Sequence, residues 1–346
     1  MNFQNLPSII GFGVKSYSIL SKEKNIHIIT GTHSDENKLL EKIKKLSKNQ
    51  LSVHSVGMDR FNPKKISSLA HSIKSNRFSA IVAIGGGSII DFSKLVIKEI
   101  NELRKKSINF YVIPTLLGSG AESSMTAILN TKSEKKIYSD KDFLPDGIIY
   151  DFNLLKSINR ERIVLGHLDA LTHCLESLSS INKNPFSEFL AKTTMNNFIN
   201  QFQKTDLFKN LDNFSLKEIS ILSLNGGICQ NNSGAGITHA LAHSLENRIK
   251  TPHIECISFF LKDVIDYLVK EDKNFFLSTD INLKKHFNKY TKEARKYESL
   301  QEIKKFLKNP KALDLIINDA KNDPCWRLFD KKINEEKLKK IIINNL

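Results

Sequence analysis

The segment Leu168–Glu176 reads L-D-A-L-T-H-C-L-E, with Asp169 and His173 four residues apart and no Gly or Pro between them. Residues spaced i and i+4 share one face of a helix. A carboxylate and an imidazole stacked in this way can grip one divalent ion. Later in the chain, Gly234–His243 (G-A-G-I-T-H-A-L-A-H) supplies His239 and His243, and Thr251-Pro252-His253 supplies another imidazole. Asp169, His173, His239 and His253 together form a nitrogen and oxygen donor set that suits Fe(II) or Zn(II). A lone histidine is most often a core or surface residue. His27, His33, His54, His71 and His286 form no comparable set, and His167, close to Asp169, breaks the i+4 relation.

A second group of residues suits a phosphate. The apolar run Ser79–Ile84 leads directly into Gly85-Gly86-Gly87-Ser88, and a helical pattern follows. Glycines let backbone N–H groups close around a phosphate, and the positive end of the following helix adds to the attraction. The spacing is not the GxGxxG dinucleotide fingerprint, so the run could also be no more than a tight turn. Asp91, in the first turns of the helix, could accept a hydrogen bond from a cofactor amide or a substrate hydroxyl; Lys94 could simply pair with it. Thr115, Ser119 and Glu122 follow another strand, and α/β sheets bind ligands at the carboxyl ends of their strands.

The elements that must position these residues alternate. Asn25–Thr30, Leu51–Val56, Ser79–Ile84, Ile108–Ile113 and Ile148–Tyr150 read as strands. Helical patterns cover 36–50, 64–76 and the stretch from the glycines to about Lys106. Residues 115–127 are small and polar and read as a loop. Strand–helix alternation predicts a parallel α/β sheet. From Ile158 onward the pattern turns helical throughout. The expected organisation is an α/β nucleotide-binding domain over residues 1–156 and an all-helical metal-binding and catalytic domain over 157–346.

The chain has 346 residues, 40% of them hydrophobic, enough for two globular domains. The four cysteines, Cys174, Cys229, Cys256 and Cys325, include no CxxC pair. That speaks against a disulfide scaffold and for a reducing, cytoplasmic compartment. No signal-peptide pattern or apolar run of membrane-spanning length is visible, so no membrane partner is expected. The net charge of +15 comes from scattered lysines without a nucleic-acid-binding signature. A solvated basic surface is the expected reading, and it would favour phosphorylated ligands. No nucleic-acid partner is expected.

Ordered motifs along the chain carry a family resemblance. Gly85–Lys94 (G-G-G-S-I-I-D-F-S-K) resembles the GGGSxxDxxK segment of the iron-containing (group III) alcohol dehydrogenases. Ile113–Ser124 resembles the family's next segment, Asp169–Glu176 its DALTHxxE metal helix, and His239–His243 with Thr251–His253 its remaining metal segment. Pro145–Asp151 and Asp323–Arg327 resemble further pieces in order. The resemblance implies a Rossmann-like nucleotide-binding domain and an all-helical metal domain, of the dehydroquinate synthase-like fold, with the active site between them. It implies hydride transfer between NAD(P)H and a small aldehyde or alcohol. It carries the metal ligands onto Asp169, His173, His239 and His253, with Fe(II) expected and Zn(II) compatible. It places Gly85, Gly86, Gly87 and Ser88 at the pyrophosphate, and Thr115 and Ser119 at the nucleotide. Asp91 falls near the nicotinamide end and His243 near both metal and nicotinamide; these two are the candidate catalytic residues.

The sequence departs from the family in places. NAD-type members often carry Asp after the first long strand, where this chain has Gly31, with no carboxylate until Asp35. An acid there would repel a 2′-phosphate, so its absence favours NADP(H), with NAD(H) the alternative. Arg248 and Lys250, between the last two ligands, could meet an anionic substrate such as the phosphonate of phosphonoacetaldehyde, or could be plain exposed cations. A metal-dependent sugar-phosphate cyclase or a glycerol-phosphate dehydrogenase-like enzyme is the alternative function, and a homodimer is the assembly kept open.

Overall fold

The computed structural model describes residues 6–32, 41, 43, 50–57, 62–75, 78–105, 107–130, 135–202, 211–249, 251–271, 282–329 and 332–346. Most of the helix expected over 36–50, together with His33, Ser34, Asp35 and Lys250, lies outside them. The chain divides into two compact units, 1–158 and 159–346.

In the first unit, β1 (Ile9–Phe12), β2 (Asn25–Thr30), β3 (Gln50–Ser55), β4 (Ala80–Gly85), β5 (Asn109–Pro114) and β8 (Gly147–Tyr150) form one sheet in the order β1-β8-β5-β4-β2-β3. Every pairing in it is parallel. The near-continuous apolar runs follow from this, because a parallel sheet is covered on both faces. Along β4, Ile81 and Ala83 join a core with the helices Pro63–Ser75 and Gly87–Arg104, while Ala80, Val82 and Ile84 face Tyr17, Leu20 and Ile113. The period of two that sorts these side chains is the strand's own.

Strand order reverses between β2 and β4. From β2 the chain steps outward to β3, then returns to β4 and proceeds the other way through β5 to β8. This is a topological switch point, where open α/β sheets form a crevice beyond the strand ends. Thr30 pairs with Ile84 and Gly85 with Pro114, so Gly31, the glycine run and Thr115 leave the sheet side by side.

Two elements differ from the sequence expectation. The sequence pattern predicts no strand before Asn25, yet Ile9–Phe12 is strand β1, paired with β8 from Ile9↔Gly147 to Phe12↔Tyr150. Its four residues are too few to show a period. The stretch read as loop over 115–127 already contains the start of β6 (Thr126–Asn130), which forms an antiparallel hairpin with β7 (Lys135–Ser139). The buried Lys94 ammonium ties this hairpin down by donating to Ser124 O (2.9 Å), Ser124 Oγ (3.2 Å) and Thr126 O (2.6 Å). Those bonds come from a distant helix, and local pattern does not reveal them.

The second unit is helical, apart from a single bridge between Ser180 and Phe329 among the described residues. Its central helix, Arg160–Leu178, starts at Asn159, whose side chain accepts from the Glu161 N–H at 2.8 Å. From Ile163 to Leu178 every residue is buried. The helix Asn213–Ser233 lies so close that a Cβ on Gly226 would sit 2.9 Å from the Ala170 carbonyl oxygen. No helix among the described residues is long and apolar enough to cross a membrane.

Candidate functional site

The central helix points Asp169 and His173 the same way, and the helices Ile237–Ile249 and His253–Glu271 bring their histidines to them. His173 Nε2 and His239 Nε2 face each other at 2.9 Å. Asp169 Oδ1 lies 3.6 Å from the first nitrogen and 3.7 Å from the second. Asp169, His239 and His253 each place a ligand atom within 4.8 Å of one another. The structure therefore gathers all four residues of the sequence-derived donor set. His243 stands at their edge, its ring centroid 5.3 Å from that of His253.

The electrostatics favour a cation. Asp169 is fully buried, and neither carboxylate oxygen has a hydrogen-bond partner. An uncompensated buried carboxylate is costly. Burial, reinforced by Glu176 and opposed by His239, pushes its carboxyl up to about 7. Burial, with His239 and His253 as neighbours, holds the His173 imidazole well below its ordinary value and so neutral. Neutral imidazoles around an unpartnered carboxylate are the protonation states that a divalent ion requires of its ligands. The residues present fit such an ion.

Glu176, the last residue of the Asp169–Glu176 motif, stands behind a histidine of the donor set. Its Oε2 accepts from His239 Nδ1–H (2.6 Å) and the Gly236 N–H (2.6 Å); its Oε1 accepts from the Thr238 N–H (2.6 Å) and the His239 N–H (3.3 Å). Burial works to raise this carboxyl, yet the His239 imidazole and these donors outweigh it and hold it below the usual range. A carboxylate behind a ligating histidine fixes its tautomer and turns the other nitrogen toward the metal. The signal was available: Glu176 lies three residues beyond His173 on the same helix. Asp323 stands behind a second histidine. Its Oδ2 accepts from His243 Nδ1–H at 2.9 Å, and its Oδ1 accepts from the Cys325 N–H at 2.8 Å. No local spacing links residues 243 and 323.

In the first unit, Gly86 precedes the helix Gly87–Arg104, whose first turn carries Ser88. Ser119 sits over this turn, and a Cβ on Gly87 would meet its Oγ at 3.0 Å. The Thr115 N–H donates to Gly85 O at 3.0 Å, holding the two strand ends together. Gly31, the glycine run, Thr115 and Ser119 are thus brought together. Asp91 is engaged within its own unit: its Oδ2 accepts from the Ile128 N–H at 3.1 Å, and Oδ1 lies 3.8 Å from Lys94 Nζ. Glu122 accepts from Tyr150 Oη–H at 3.0 Å. Arg248 is also engaged, donating through Nε to Asp319 Oδ2 at 2.8 Å.

Comparison with known proteins gives matches over both units. Residues 8–152 match the family described as "Iron-containing alcohol dehydrogenase", and residues 163–322 match "Fe-containing alcohol dehydrogenase family, C-terminal". Among curated proteins, long-chain-alcohol dehydrogenase 1 of Geobacillus thermodenitrificans is 27% identical over 56% of this chain and 53% of its own length. The match thus spans about half of that relative. 4-Hydroxybutyrate dehydrogenase of Clostridium kluyveri is 23% identical over 71% of this chain and 70% of its own. The NADPH-dependent butanol dehydrogenase of Clostridium saccharobutylicum is 26% identical over 75% of each. Among solved structures, the iron-containing alcohol dehydrogenase of Thermococcus thioreducens superimposes with a TM-score of 0.82 at 17% identity, covering 99% of both chains. That likeness shows the fold.

Proposed function

Because the chain belongs to the iron-containing alcohol dehydrogenase family, we propose that it is a metal-dependent oxidoreductase that moves hydride between NAD(P)H and a small aldehyde or alcohol. The observation that carries this reading is the fully buried Asp169 carboxylate, without hydrogen-bond partners and set among facing imidazoles. Asp169, His173, His239 and His253 would hold the ion, Fe(II) by family and Zn(II) by chemistry. When bound, the ion supplies Lewis acidity at the carbonyl oxygen, and the nicotinamide supplies the hydride.

The chain's own groups divide the remaining work. Asp169 contributes the negative charge that offsets the ion. Glu176 fixes the His239 ring with Nε2 turned inward. Gly85, Gly86, Gly87 and Ser88 present N–H groups to a pyrophosphate at the helix start, and Thr115 and Ser119 extend the cradle. Asp91 secures the hairpin beside this turn. His243 takes the proton of the substrate hydroxyl at Nε2 in oxidation and returns it in reduction.

NADP(H) is the favoured nucleotide. Gly31 places no carboxylate beside the switch point, and a relative is named for NADPH dependence. The favoured substrate is a neutral, short aldehyde, since the Arg248 guanidinium is taken up by Asp319. A panel of aldehydes with NADPH and NADH, on protein loaded anaerobically with Fe(II) or Zn(II), tests the reading. It should contain butyraldehyde, succinic semialdehyde and phosphonoacetaldehyde. Metal-dependent nucleotide oxidation, strongest with the neutral aldehyde, is expected. Turnover that survives metal removal would reject it.

A further inference from the structure

We propose that Asp323 is a positioning residue that selects the tautomer of His243. One carboxylate accepts two hydrogen bonds. Oδ2 accepts from His243 Nδ1–H at 2.9 Å, and Oδ1 accepts from the Cys325 N–H at 2.8 Å, where Asp323 caps the short helix Pro324–Leu328. The ring is buried, and the carboxylate is mostly so. Both carboxylate oxygens accept an N–H, an arrangement that favours the ionised acid. An ionised carboxylate only accepts, so the Nδ1 it faces must carry the proton. A neutral imidazole has one N–H, which leaves Nε2 as the acceptor nitrogen.

This extends the reading of His243 as the group that handles the substrate proton, and it rests on that reading. In alcohol oxidation the C–H bond breaks, with hydride passing to the oxidised nicotinamide. The O–H bond breaks with its proton passing to His243 Nε2, and the carbonyl forms. The resulting imidazolium stays paired with Asp323 until its proton reaches solvent. With the opposite tautomer, Nε2 already carries hydrogen and cannot accept.

The double commitment of Asp323 makes the substitution Asp323→Asn informative. A free amide could rotate to offer its oxygen to either neighbour. Here the Cys325 N–H demands an acceptor at the Oδ1 position. The amide oxygen must stay there, and the NH₂ is forced onto Nδ1. The ring then has to move its proton to Nε2. The cap and the shape of the side chain are retained.

The test uses Zn(II)-loaded protein carrying ¹⁵N-labelled histidine, with long-range ¹H–¹⁵N correlation of the ring nitrogens assigned through His243→Gln. The wild-type ring should be protonated at Nδ1, and Asp323→Asn should reverse it. Bound zinc should be unchanged, KM for aldehyde should shift little, and kcat should fall about 10²-fold or more. A purely structural role would leave the tautomer unmoved. A wild-type ring protonated at Nε2 would overturn the proposal, even if the variant cannot be folded. A reversed tautomer with wild-type kcat would overturn it as well. A wild-type protein that turns over no aldehyde or alcohol refutes the functional reading instead, and the ring spectrum still decides whether Asp323 sets the tautomer.

Discussion

At the scale of single residues, the site is governed by which buried polar atoms have partners. Asp169 has none and His239 has Glu176 behind it, so the charge imbalance is local and an ion would correct it. Replacing His253 with Ala removes one donor from this group while leaving the buried helices in place. Metal affinity should fall by more than about 10²-fold, since losing even an outer partner of a ligand typically costs 10–100-fold. Elemental analysis of the purified variant checks this, and full metal content with full activity would reject the ligand assignment. Gly31 offers a second test. It is not among the positive-φ glycines, so an aspartate can take its backbone conformation. Gly31→Asp should move the NADPH/NADH ratio of kcat/KM toward NADH by about tenfold, ~1.4 kcal/mol. An unchanged ratio would remove Gly31 from the nucleotide site. The donor residues were legible because their types are chemically scarce and one pair has helical spacing. Asp323 was not, since its partner lies 80 positions earlier in the chain.

At the scale of elements, close approach matters more than propensity. The central helix and the helix Asn213–Ser233 meet at Gly226, where an added Cβ would sit 2.9 Å from a backbone oxygen of Ala170. Ala170 neighbours Asp169 directly. Gly226→Ala must push two backbones apart, at a cost of about 1–3 kcal/mol for an overpacked contact. Denaturant unfolding of the metal-free protein should show that loss, and metal affinity should fall with it. Unchanged values in both would mean the two helices separate freely. The β6–β7 hairpin teaches the same lesson in the first unit. Its strands hang on Lys94, whose ammonium is fully buried. Burial pulls that ammonium down to about 8, although Asp91 and Glu122 work to raise it. Sequence spacing allowed an Asp91–Lys94 pair, but the lysine's closer partners are the hairpin oxygens.

At the scale of the whole molecule, stability should depend on acid through histidines kept neutral in the core. His27 lies in β2 with both ring nitrogens lacking partners, and burial, with His54 nearby, pulls it down to about 4. The unfolded chain binds this proton near pH 6.5 and the folded one only near 4. Its contribution is therefore intact above pH 6.5 and is lost as pH falls from 6.5 toward 4. The loss is up to about 3 kcal/mol at 1.36 kcal/mol per unit. His27→Leu should flatten that part of the stability–pH curve, measured by denaturant unfolding. A curve of unaltered slope would place the acid sensitivity elsewhere.

The linear order of residues by itself determined the α/β-then-helical plan, the donor types and the glycine turn. Each is written in local periodicity or in residue chemistry that few other roles require. Tertiary structure alone decided three things. It set the switch point that lays Gly31, Gly85 and Thr115 along one sheet edge. It committed Arg248 to Asp319 and Lys94 to a hairpin. It also brought Asp323 behind the histidine it orients. These are contacts between residues far apart in the chain, set by how helices and strands pack, and no local pattern encodes packing partners.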